Sequence, residues 1–244
     1  MTRPLDPARG RPLDTARDRR LGVLGGTFDP IHFGHLDAAE AAHRALNLTE
    51  VLFVPSHDPP HRPADPHAAA AHRFAMVALA INGCPAYRVS DVELQRGGNS
   101  YTADTLRSLH ADGWDASQIF FILGADAFAE IATWYEFPAV LDAAHFAVVA
   151  RPGTTLEQAA ARTPGLRARI RPGTASLDRG PETGVVLVEA LTRDVSSTTI
   201  RAHLAAGQPT DHLVPSSVAR HIAAHHLYRT GRELHGEHKD IQGT

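Results

Sequence analysis

Leu21-Gly22-Val23-Leu24-Gly25-Gly26-Thr27-Phe28-Asp29-Pro30-Ile31-His32-Phe33-Gly34-His35-Leu36 is an apolar run that breaks at a glycine pair and resumes with a helical pattern. A short continuous apolar run is what a strand covered on both faces requires. Gly25 and Gly26 let the backbone turn sharply and approach a ligand with no Cβ in the way. Pro30 stiffens the loop, and a helix is expected to begin near Gly34. Such a helix start lies beyond the carboxyl end of its strand. There it offers unpaired N–H groups and the positive end of the helix dipole, which suits phosphate. His32 and His35, three positions apart, can face one phosphate group. Neither has a cysteine or acidic partner at metal-ligand spacing, so no metal is expected on them. The competing reading, two surface histidines at a helix cap, is less economical behind a glycine-pair turn.

Outward from this stretch the chain keeps alternating. Val51–Pro55, Tyr87–Leu94, Ile119–Gly124, His145–Ala150 and Val185–Glu189 read as further strands. Helical patterns lie between or after them at His35–Leu46, Ala70–Ile81, Thr102–Ala111, Asp126–Trp134, Thr198–Ala206 and Ser216–Leu227. Strand–helix alternation predicts right-handed crossovers and a doubly wound α/β fold with a mainly parallel sheet, in a single domain over residues 21–230. Two stretches interrupt it: the proline- and histidine-rich Ser56–Ala69, and Arg162–Gly184 with four glycines and three prolines. Both read as loops of the kind that serve as lids or binding loops. Residues 231–244 read as a polar, flexible tail.

Composition narrows the classes. Of 244 residues, 43% are apolar and 21% charged, ordinary for a globular protein, and the net charge of −3 does not favour a general nucleic-acid surface. The single cysteine, Cys84, excludes an intrachain disulfide and a cysteine-held metal. No run approaches the roughly 20 apolar residues that span a bilayer. Met1–Arg20 holds six arginines and three aspartates without an apolar segment, so it reads as a disordered extension and not as a secretory signal. A cytoplasmic location is expected. Histidines 221, 225 and 226 share one C-terminal helix; their spacing permits a metal face, but a solvated face is the simpler expectation.

Further polar motifs follow. Asp194-Val195-Ser196-Ser197-Thr198-Thr199-Ile200-Arg201 opens a helix after the last strand. Its hydroxyls can cap that helix or donate to phosphate, and Arg201 can reach back one turn with a bidentate fork. Ser100-Tyr101-Thr102-Ala103-Asp104-Thr105-Leu106 starts another helix whose N–H groups could hold a carboxylate. Trp134 could stack on a flat ring or simply pack in the core.

His32-Phe33-Gly34-His35 matches the H-x-G-H motif of the nucleotidyltransferase superfamily. The fuller string Gly25–Leu36 resembles bacterial nicotinate mononucleotide adenylyltransferases in particular. The stretch from Val195 resembles the I-S-S-T-x-x-R motif of the same superfamily, with valine in the first place. Ser100–Leu106, Gly124-Ala125-Asp126 and Thr133-Trp134 also follow that family's order, and Pro59-Pro60-His61-Arg62 stands where it often has P-P-H-K. The resemblance runs from about Leu21 to Tyr228. It implies a Rossmann-like nucleotidyltransferase fold. Gly25, Gly26, Thr27, Phe28, His32, His35, Ser196, Ser197, Thr198 and Arg201 are then expected on ATP, with His32, His35 and Arg201 catalytic. Tyr101, Thr102, Asp126 and Trp134 are implied for the pyridine mononucleotide, and Arg62 for its phosphate.

The implied reaction is transfer of AMP from ATP to nicotinate mononucleotide, giving deamido-NAD and pyrophosphate, as a step of NAD biosynthesis. Magnesium is expected only with ATP, since no carboxylate cage is visible. Partners are thus two small molecules, with neither nucleic acid nor membrane. Within the class, the alternative is a nicotinamide mononucleotide or dual-specificity enzyme. Outside it stands a catalytically silent nucleotide sensor, which the presence of both histidines disfavours.

Overall fold

The apolar runs become strands because each can bury both of its faces. This computed structural model describes residues 19–59, 66–150, 156, 165–173 and 182–229. The strands are β1 (Leu21–Gly26), β2 (Glu50–Pro55), β3 (Tyr87–Val89), β4 (Ile119–Gly124), β5 (His145–Ala150), β6 (Ile170–Arg171) and β7 (Val185–Glu189). They form one seven-stranded sheet in the order β3-β2-β1-β4-β5-β7-β6, with every pairing parallel.

Successive strand residues point to opposite faces. Leu24, Phe53, Ile122 and Ala147 face one side, packed against Ala39, Ala42 and Leu46 of α1 (Phe33–Leu46) and Met76 and Val77 of α2 (Ala70–Ile81). Val23, Phe121, Phe146 and Val148 face the other, under Leu106 and Leu109 of a helix over Thr102–Ala111. Each such side chain contributes about 1.5–3 kcal/mol on burial. Gly22 marks the tightest approach. A Cβ there would lie 2.6 Å from Cδ1 of Leu48 and 3.0 Å from Cδ1 of Ile122.

Two expected elements are recast. The strand foreseen over Tyr87–Leu94 pairs only as far as Val89, and the chain then turns into α3 (Val92–Arg96). Ser90 and Asp91 cause the change: Ser90 Oγ accepts from Val92 N–H, and the Gln95 side chain donates to the Asp91 carboxylate. The helix over Thr102–Ala111 is therefore α4. The helix foreseen over Asp126–Trp134 is α5 (Ala125–Ala129) followed by a 3₁₀ turn at Ile131–Thr133. The Thr133 hydroxyl donates to Glu130 O at 2.8 Å, a local bond that competes with helix continuation. Trp134 leaves that turn with extended backbone. The last two helices are α6 (Ser197–Ala205) and α7 (Ser216–Ala224), the latter ending three residues before the expected Leu227. Short β6 lies inside the foreseen excursion at 162–184.

β1 has β2 on one side and β4 on the other, so the winding reverses between β1 and β4. A crevice opens at the carboxyl ends of strands at such a switch point. Among the described residues no helix is long and apolar enough to cross a membrane.

Candidate active site

A cleft of about 860 Å³ occupies that crevice. One wall is the end of β1 and the start of α1: Gly25, Gly26, Thr27, His32, Gly34 and His35. The opposite wall comes from the end of β4, Asp126, Thr102 and Trp134, and Thr192–Val195 close the edge nearest α1.

His32 stands just ahead of α1 with extended backbone, and its carbonyl accepts from the N–H groups of His35 and Leu36. Its own backbone N–H donates to Nδ1 of His35 at 3.2 Å. That bond occupies the His35 Nδ1 lone pair, so a neutral ring carries its proton on Nε2. The two imidazoles stack, with centroids 3.7 Å apart and planes 22° from parallel. Gly34 makes room for this arrangement, because a Cβ there would meet His32 Nδ1 at 3.1 Å and Arg193 O at 3.3 Å. His32 is 7% exposed, and its Nδ1 has no hydrogen-bond partner among the described residues. Burial pulls its pKa down to about 4, opposed in part by the charge of Asp37. The Arg193 guanidinium, bonded to both oxygens of Asp37, holds that carboxyl below its ordinary value. Arg193 also lies 3.8 Å over the Phe33 ring.

The loop between β1 and α1 is fixed from beneath. Asp29 is buried and accepts from His67 N–H at 2.7 Å, Ala68 N–H at 3.1 Å and the Tyr228 hydroxyl at 2.7 Å. It thus caps the far end of the long loop as well as steadying its own. Arg73 is structural: its buried guanidinium donates to the carbonyls of Thr27, Ser56 and Ala68. Phe28 adopts a left-handed backbone (φ 50), a conformation that costs roughly 1–2 kcal/mol in a residue with a Cβ. Its ring is 2% exposed, packed between Phe53 and the edge of His35. Phe28 therefore underlies the cleft instead of lining it.

The second phosphate motif is placed differently from the first. Ser196 Oγ accepts from Thr199 N–H and caps α6. Ser197 Oγ donates to Pro30 O at 2.9 Å, and Arg201 donates to Asp29 O at 2.8 Å and to Thr198 Oγ1 at 3.3 Å. These side chains brace the β1–α1 loop; the cleft itself is lined just ahead of them, by Asp194 and Val195.

On the opposite wall the aromatic set comes together. Tyr101, Thr102 and Trp134 line a side pocket of about 260 Å³ with Tyr135. Tyr101 lies 4.5 Å from the Tyr135 ring, and Trp134 meets Phe121 edge-on at 5.8 Å. Thr102 is the first residue of α4, whose start has no side-chain cap. Ser100 Oγ accepts from His57 N–H at 2.8 Å, tying this start to the loop after β2. Arg62, with Pro60 and His61, lies outside the described residues.

Glu93 is a buried acid of the cleft that sequence reasoning passed over. It is 6% exposed, and burial pushes its carboxyl up against hydrogen bonds from Thr105 and Ser100. The signal that could have found it is Ser90-Asp91, a helix-start pair that takes Glu93 out of a strand. Gly34 and Arg193 were also missed as cleft residues.

Comparison with known proteins follows the same lines. The cytidylyltransferase-like family model matches residues 23–203. A Symbiobacterium thermophilum protein named "Probable nicotinate-nucleotide adenylyltransferase" is 43% identical over 220 residues, 89% of this chain and 99% of that one. A Streptomyces coelicolor protein of the same name is 43% identical over 206 residues, 84% and 99% of the two chains. Among solved structures, the nicotinic acid mononucleotide adenylyltransferase of Plasmodium falciparum, complexed with NaAD, superposes with a TM-score of 0.62 at 18% identity. The match covers 86% of this chain and 97% of that one, a likeness of fold.

Proposed function

The chain belongs to the cytidylyltransferase-like family and, within it, to the nicotinate-nucleotide adenylyltransferases, and from that premise we propose that it transfers AMP from ATP to nicotinate mononucleotide, giving deamido-NAD and pyrophosphate. One observation carries the reading: a single switch-point cleft joins the His32–His35 helix start to the Thr102–Trp134 wall. One end of that cleft suits phosphates and the other a flat acidic ring.

The mononucleotide phosphate attacks the α-phosphorus of ATP in line. A new P–O bond forms as the bond to the β-phosphate oxygen breaks, and pyrophosphate leaves with that electron pair. The nucleophile is already an anion, so no covalent enzyme intermediate is needed, and the work is alignment and charge stabilisation. His35, with its proton on Nε2, donates to a triphosphate oxygen. His32, neutral and with no partner on Nδ1 among the described residues, shares that oxygen cluster; a donor of this kind is worth about 2.7–4 kcal/mol in the transition state. Gly25, Gly26, Thr27 and Phe28 form the loop on which ATP rests. Ser196, Ser197, Thr198 and Arg201 serve the triphosphate by holding that loop and presenting the start of α6. Thr102 and its neighbouring N–H groups receive the nicotinate carboxylate, Tyr101 and Trp134 flank the ring, Asp126 borders the ribose side, and Arg62 offsets the mononucleotide phosphate.

The donor set fits magnesium carried in by ATP. Asp29, the best-buried acid of the site, is fully engaged with protein donors, while Asp126 and Asp194 border the cleft singly. When bound, the ion neutralises charge on the phosphates. The domain is assigned to residues 21–230, and the cytoplasm, where such substrates meet, is its compartment. The test is product analysis. ATP, magnesium and nicotinate mononucleotide should yield pyrophosphate and dinucleotide in equal amounts. Phosphate or ADP without dinucleotide overturns the reading.

A further inference from the structure

Away from the cleft, three histidines from two helices converge. His72 lies on α2, His221 on α7, and His225 one turn later at the end of α7. Read along the sequence, His221 and His225 look like a solvated face; the fold sets His72 against them. Nδ1 of His72 is 3.1 Å from Nε2 of His221. Ring centroids lie 4.8 Å apart for His72–His225 and 4.4 Å for His221–His225. One ring nitrogen from each lies within 4.8 Å of the other two. Ligand nitrogens on a tetrahedral zinc, at Zn–N of about 2.0–2.1 Å, stand roughly 3.4 Å from one another. One pair is already at that spacing, and small side-chain rotations bring in the third.

We propose that His72, His221 and His225 form a binding site for a borderline divalent cation of the Zn²⁺ class, with water in the fourth position. Three imidazoles without thiolate or carboxylate suit zinc, cobalt, nickel or copper over magnesium or calcium. The site is separate from the reaction, yet it sits on the frame that holds the cleft. Arg73, next to His72, carries the carbonyls of Thr27 and Ser56. Tyr228, just past α7, holds Asp29. A cation here ties α2 to α7 and so steadies both supports of the β1–α1 loop.

Co²⁺ titration of the tag-free full chain tests this. One equivalent should give the visible absorption of a tetrahedral site, and Zn²⁺ should displace it. His225→Ala and His72→Ala should each remove the signal, while His226→Ala, a neighbour outside the cluster, should keep it. Saturating Zn²⁺ should raise Tm by about 5 °C in the parent and His226→Ala only. Unchanged far-ultraviolet dichroism checks that each variant folds, and exposed His225 is the variant least able to disturb packing. Absence of the tetrahedral signal, or a signal that survives His225→Ala, overturns the proposal; the latter would place the ion elsewhere among the chain's histidines.

Discussion

The helix starts at His32 and at Ser196 look alike as sequence: each follows a strand and each carries polar side chains suited to phosphate. In the fold their polar side chains are engaged differently. At the first, the histidine rings stack in the cleft wall and His32 Nδ1 has no partner among the described residues. At the second, the serine and arginine side chains are engaged by Thr199 N–H, Pro30 O and Asp29 O. A polar motif at a helix start can thus face a cleft or brace the loop beside it. The deciding quantity is how many of its donors the protein has already used.

The largest expected effect lies at the receiving start. His35→Ala should lower kcat by about 10²–10³-fold, the loss of one well-placed donor to developing charge, and should cost no more than about 1 kcal/mol of stability for the bond from His32 N–H that it removes. A fall below about fivefold would break the distinction. His32 sharpens the same side through pH. Its pKa is about 4 in the folded chain, against about 6.5 in an unfolded one. Between those values the unfolded state binds the proton and the folded state does not. Stability should therefore fall as pH is lowered from about 6.5 through about 4, by on the order of 3 kcal/mol from this group alone. In His32→Asn that share of the loss should disappear from a comparison of denaturant unfolding at pH 7 and pH 4.

The bracing start should respond in the other currency. Arg201→Ala leaves the Asp29 carbonyl without its donor and should cost about 2 kcal/mol of stability along with activity. A kcat loss as large as that of His35→Ala with an unchanged urea midpoint would put Arg201 directly on substrate. Ser196→Ala removes a helix cap and should cost about 1 kcal/mol by thermal unfolding, with less than about threefold change in kcat.

Much of this was legible. Five expected strands survive nearly intact because each is a continuous apolar run that only a sheet covered on both faces can use. α2 and α4 keep their expected bounds, Ala70–Ile81 and Thr102–Ala111. Where the reading failed, a short side-chain bond won over a periodic pattern: Ser90 and Asp91 ended β3 early, and the Thr133 hydroxyl broke the helix before Trp134. Of the expected site residues, Gly25, Gly26, Thr27, His32, His35, Thr102, Asp126 and Trp134 meet at one cleft, with Tyr101 in the adjoining pocket. Glu93 was hidden because its burial depends on α3, which the strand reading erased. His72 and His221 lie 149 positions apart, a separation no local pattern reveals.

The most direct test of the account compares pyrophosphate release with nicotinate and with nicotinamide mononucleotide, at matched ATP and magnesium. The uncapped start of α4 beside Trp134 predicts kcat/KM at least roughly tenfold higher for the acid, a difference of about 1.4 kcal/mol. Equal rates would keep the chemistry of His32 and His35 and contradict an acid-selecting pocket. No pyrophosphate with either would contradict the account at its centre.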